Sequence, residues 1–110
     1  MAPIPHPQQF RKRPVVVEAM RWQPGDLAQA GVLVGWLMRH GVKFRHPSGT
    51  GETTTLAIDT LEGTMVALPG DWIIQGTRGE FYPCKPGPFD DTFELLGEAE
   101  AQATFIGPTT

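Results

Sequence analysis

Leu61-Glu-Gly-Thr-Met-Val-Ala-Leu-Pro-Gly-Asp-Trp-Ile-Ile-Gln-Gly-Thr-Arg-Gly-Glu-Phe-Tyr-Pro-Cys-Lys-Pro86 is the stretch on which the fold turns. Short β-prone runs alternate in it with strong turn signals. Pro69-Gly70 predicts a type II turn, because proline presets φ at the second position and glycine tolerates the positive φ of the third. Asp71 follows, suited to bond nearby backbone amides. Residues 76–79 read as a second turn. Gly63 closes a hairpin connection over residues 59–63. The runs between, at 53–58, 64–68, 72–75 and 80–84, are then strands of an antiparallel β-meander spanning 53–96. Pro86-Gly-Pro88 breaks it, residues 89–92 suit one helical turn, and 93–96 read as a final strand.

Upstream, residues 15–22 are β-branched and follow Pro14, which predicts a first strand. Val16, Glu18, Met20 and Trp22 alternate with Val15, Val17 and Ala19. Both faces are largely apolar, as in a central strand covered on both sides. Glu18 is the odd member: buried, its carboxylate requires a partner or a raised pKa. The alternative is a lower face left exposed, with Trp22 at its end. Pro24-Gly25 ends this strand. Asp26 is a good N-cap and Gln29 suits a capping box. Leu27, Ala30, Leu33, Val34, Leu37 and Met38 then recur at helical spacing, and Gly41 suits a left-handed stop. Trp36 falls off that stripe and either covers a flank of the core or faces a partner. Residues 42–45 suit a short strand and 46–52 a loop.

The expected architecture is therefore α+β: a small antiparallel β-meander or partly open barrel packed on one α-helix. Its single domain runs over 15–96, between a flexible proline-rich basic arm (1–14) and an acidic tail (97–110). Phe10 in the arm, and Phe105 and Ile106 in the tail, are the residues able to dock on the domain. At 110 residues one core is expected, and 13 glycines and 11 prolines fit a turn-rich β architecture.

The formal charge of −3 makes the whole molecule no polyanion binder. Arg11-Lys12-Arg13 is the one segment through which nucleic acid or an acidic partner is conceivable. A lone cysteine, Cys84, forms no internal disulfide. The longest apolar run, 32–38, is far too short to span a membrane. A cytoplasmic location is the default.

No catalytic constellation stands out. Lys85 beside Cys84 favours the thiolate, yet no histidine has a recognisable spacing to it, so a packed, inert cysteine is the plainer account. His6, His40 and His46 lack zinc-ligand spacing, and Asp90, Asp91 and Glu94 suit a capped turn better than a cation. No metal or cofactor is expected. Arg78, Lys85 and the amides of 76–79 are candidates for anion binding, joined by Glu18 if it lines a pocket. Of the large aromatics, most belong in a core. Trp36, Trp72 and Tyr82 are the candidates for an interaction surface.

The quoted stretch resembles a family of small bacteriophage proteins. They share a Leu-Glu-Gly turn, a Pro-Gly-Asp-aromatic-Ile-Ile strand, a Gly-Glu-Phe-Tyr-Pro-Cys-Lys-Pro segment and a Thr-aromatic-Glu ending, matched here by Thr92, Phe93 and Glu94. Val17-Glu-Ala-Met-Arg-Trp22 is similar to the family's first strand. The arm, the 46–52 loop and the acidic tail depart from it. The resemblance implies a phage product in the bacterial host cytoplasm or the virion, and no activity. The expected role is a non-enzymatic module binding a host or phage protein. A binder of a small anion or nucleotide, a virion component and a homodimer through a free sheet edge stay open.

Overall fold

The structure, a computed structural model, describes residues 6–97. In order, the strands and α-helices are β1 (Glu18–Arg21), α1 (Leu27–Arg39), β2 (Phe44–Arg45), β3 (Leu56–Thr60), β4 (Gly63–Ala67), β5 (Trp72–Gln75), β6 (Phe81–Cys84) and α2 (Pro86–Thr92), with a short 3-10 turn at Gly51–Thr53. The fold is α+β, with all strand pairs antiparallel in two three-stranded sheets ordered β1-β5-β6 and β2-β3-β4. It is not a closed barrel. The β3–β4 hairpin sits in one sheet and the β5–β6 hairpin in the other. The chain crosses between them at Leu68-Pro69-Gly70-Asp71, where Asp71 N–H donates to Leu68 C=O at 2.9 Å and Gly70 has φ 94°. That is the geometry of a type II turn.

Strand β1 is shorter than residues 15–22 and lies at an edge, with β5 central. Glu18 pairs with Gln75, and the turn beginning at Gly76 leaves residues 15–17 no strand to pair with. Glu18 is exposed at the start of the strand, so the cost of burying its carboxylate does not arise. Met20 and Trp22 face the core, and the Trp22 indole N–H donates to Thr54 C=O at 2.8 Å.

Helix α1 starts as expected, with the Asp26 carboxylate accepting from Gln29 N–H at 3.1 Å. The Gln29 side chain does not close a capping box; its amide donates instead to Arg21 C=O and ties the helix to β1. At the other end Gly41 N–H donates to Met38 C=O and Val42 N–H to Leu37 C=O, with Gly41 at φ 69°. This pair of bonds is a Schellman stop. The buried face is rotated from the expected stripe. Leu33, Trp36 and Leu37 are buried, whereas Leu27 is 82% exposed and Met38 faces outward. Trp36 is drawn in by an edge-on contact with Phe81 on β6, at 4.9 Å between ring centroids.

The core joins Leu33, Trp36 and Leu37 of α1 to Leu56 and Ile58 of β3, Ala67 of β4, Ile73 of β5 and Phe81 of β6. On the opposite face of the first sheet, α2 lays Phe89 flat on Trp72, at 4.1 Å and 6°, and Phe93 continues the stack. This second helix replaces the single turn expected at 89–92. Pro86 opens it, its fixed φ suited to a first helical position. Phe93 is extended but packs on Phe89 rather than entering a ladder, and residues 93–96 form no strand. In the arm, residues 6–16 are exposed without regular structure, and Phe10 docks on nothing. Phe105 and Ile106 lie outside the described residues, as does the tail beyond Gly97.

Candidate interaction surface

Two sites follow from the division of the strands, one in the interior of the quoted stretch and one at its start. The first is the corner at Asp71. Its carboxylate is 5% exposed, accepts from Leu68 N–H at 2.9 Å and takes the Lys85 ammonium at 2.8 Å. Trp22 N–H donates to Asp71 C=O, Gly70 N–H donates to Trp22 C=O, and Arg21 Nε donates to Gly70 C=O at 2.9 Å. The Arg21 guanidinium also lies 5.8 Å from the Trp72 ring centroid. Every charged group here has a partner within the chain, so the corner holds two sheets together and offers a ligand little.

The residues proposed to bind an anion do not converge. Arg78 lies in the turn between β5 and β6, and Lys85 follows the far end of β6. The four-residue strand β6 lies between them, putting them on the order of 15–20 Å apart. Lys85 is committed to Asp71. In the turn, Gly76 N–H donates to Glu80 C=O and Gly79 N–H to Gly76 C=O. The Glu80 carboxylate occupies the space a Cβ on Gly76 would need, which brings a negative charge to a site meant for an anion. Glu18 faces solvent and Trp36 is 7% exposed in the core. Trp72 is half-buried beneath Phe89.

Cys84 is half-buried on the outer face of β6. Burial, and then the Asp71 carboxylate, push its thiol pKa up, so the neighbouring Lys85 does not activate it. Lys85 instead spends its charge on Asp71. His40 rests against Phe81, and His46 is stacked on Trp22. Among the described residues no group of His, Cys, Asp or Glu is gathered to hold a metal ion. No helix among them is long and apolar enough to cross a membrane.

The second site is the tip of the β3–β4 hairpin. Leu61 is 76% exposed at its turn, and Met65, Val66 and Leu68 are exposed along and beyond β4. Two adjoining clefts of about 320 and 290 Å³ meet there, sharing Thr60, Leu61, Glu80 and Phe81. The first reaches His40 and Lys43; the second reaches Met65 and Tyr82. Burial, and then the nearby Glu80, raise the Tyr82 pKa, so its hydroxyl is neutral and able to donate a hydrogen bond at physiological pH. Of the three aromatics singled out from the sequence, Tyr82 is the one that lines this surface. Leu61, Met65 and Val66 escaped notice because an uncharged β-prone run reads equally well as a buried strand.

Compared with known proteins, the chain matches no family model, no curated protein and no solved structure.

Proposed function

We propose that this chain is a non-enzymatic interaction module that docks a host or phage protein on the β3–β4 hairpin tip. One observation carries the reading: Leu61 and Met65 are exposed at clefts lined also by Phe81 and Tyr82, and Val66 and Leu68 add exposed apolar surface on the other face of the same strand. Exposed apolar side chains grouped beside a concavity are the usual mark of a recognition surface, and an aromatic with a polar tip is a favoured anchor in one. Asp59, Glu62 and Glu80 form a largely acidic rim, with Lys43 the cation among them. Such a rim suits a partner presenting apolar side chains flanked by basic ones. The shared Leu-Glu-Gly, Pro-Gly-Asp and Gly-Glu-Phe-Tyr-Pro-Cys-Lys-Pro elements support a bacteriophage origin, with an accessory role in the bacterial host cytoplasm.

The test is capture of partners from host lysate by immobilised protein, with quantitative mass spectrometry. Wild-type protein enriches a defined protein, Leu61→Asp and Tyr82→Ala lose it, and Leu27→Asp, at the far end of α1 from His40, retains it. Equal enrichment by Leu61→Asp, or enrichment of nothing over a blank resin, removes the proposal.

A further inference from the structure

The two open sheets have four edges, and three of them are blocked. On β1, the outward carbonyl of Arg21 is already taken by the Gln29 side chain. On β6, pairing through Ile74–Tyr82 and Trp72–Cys84 turns the backbone groups of Phe81 and Pro83 away from β5, and proline has no N–H to offer. Strand β2 is two residues long, follows Lys43 and carries Arg45 itself. These are the devices by which sheets avoid pairing edge to edge.

Strand β4 has none of them. From Gly63 to Leu68 there is no charge and no proline. Asp59 N–H donates to Lys43 C=O, so Asp59 bonds toward β2. Alternation then makes Thr60–Gly63, Ile58–Met65 and Leu56–Ala67 the bonded pairs of the β3–β4 ladder. Thr64 and Val66 turn their N–H and C=O groups away from it. Among the described residues, none of these four groups has a backbone partner.

We propose that this edge pairs with β4 of a second copy of the chain, antiparallel about a two-fold axis at Met65. Thr64 then exchanges both backbone bonds with Val66 of the other copy, and the symmetry repeats the exchange. The two β-branched residues also become cross-strand neighbours on one face, a favourable pairing. The same register sets Glu62 opposite Leu68, so no like charges meet across the axis. A six-stranded sheet results. Strands of this length with four exposed apolar side chains bury an area near the small end of stable interfaces, about 1,000 Å², so micromolar association is expected. The inference deepens the proposed function by giving the exposed strand a partner of its own kind. It sets the two Leu61 tips about 25 Å apart along the strands, where a bivalent grip on a larger partner becomes available.

The experiment is sedimentation velocity on the full chain from about 1 to 200 µM, a range that brackets micromolar association. The wild type moves with concentration from the 12.0 kDa monomer toward twice that mass. Val66→Lys sets two cations on adjacent strands, and Thr64→Pro removes an outward N–H while keeping every backbone bond of the β3–β4 ladder, at the loss of the exposed Thr64–Asp59 side-chain bond. Each weakens the dimer at least about tenfold while the circular dichroism spectrum stays native. In a Cys84→Ser background, Met65→Cys forms a disulfide-linked dimer on mild oxidation and Arg78→Cys does not. A wild-type chain that stays monomeric across the range, a dimer indifferent to Val66→Lys and Thr64→Pro, or an unlinked Met65→Cys overturns the inference. A monomer that still captures its partner through Leu61 overturns this inference alone and leaves the proposed function standing.

Discussion

The corner at Leu68–Trp72 and the hairpin tip at Leu61–Val66 are near neighbours in the chain and opposites in chemistry. At the corner a buried carboxylate, an ammonium and backbone groups of Trp22, Leu68, Gly70 and Asp71 satisfy one another. At the tip, apolar side chains face outward and a strand edge has unspent bonding capacity. A buried charge persists only where its partners are supplied within the fold, so the corner is a structural device. Exposed apolar area gains nothing for the isolated chain, so the tip is where a partner would matter.

Substitutions can break this contrast. The largest effect is expected from Asp71→Ala, which strands Leu68 N–H and removes the counter-charge of Lys85. A loss of about 2–3 kcal/mol should appear as a lower urea midpoint with an unchanged slope. Gly70→Ala comes next. Space for the methyl exists, with Arg21 Nη2 3.8 Å away, but φ 94° disfavours any side chain, and about 1 kcal/mol should be lost. Lys85→Met should cost less, about 0.5 kcal/mol, because the lysine side chain is 57% exposed and its attraction is screened.

A smaller signal should come from Cys84. Its thiol pKa is raised, so the folded chain holds that proton more tightly than the unfolded one. The associated stabilisation is complete below the ordinary thiol range and is lost as pH rises through the raised folded value. Alkylation rate against pH checks this. The midpoint should lie above that of a free cysteine and fall part of the way back in Asp71→Asn, since the carboxylate is the second cause. Leu61→Asp should change stability least, within about 0.5 kcal/mol, while abolishing partner capture. A large loss of stability there would mean the tip is structural after all, and the contrast would collapse.

Much of the fold was legible because it is written in short-range chemistry. Pro69-Gly70, Asp26 and Gly41 act through the conformations of a few neighbouring residues, and each does in the structure what its type requires. What could not be read was the partner of each strand. Val15 to Val17 have strong β character but overhang the turn at Gly76, which no local pattern reveals. Trp36 lay off the apolar stripe until Phe81 arrived beside it from 45 positions away. Arg78 and Lys85 are not brought together, for the same reason. They are close in sequence, but an extended strand holds them at its two ends.

The sequence by itself determined the α+β class, the helix with both its stops, and the turns between strands, because these depend on backbone torsions and neighbouring bonds. Only the tertiary structure decided that the expected meander divides into two sheets at Asp71, that Glu18 faces water, and that β4 is left as an unguarded edge. Those outcomes depend on which strands meet, and that is set by the burial of Leu33, Leu56, Ile58, Ile73 and Phe81 in one common core.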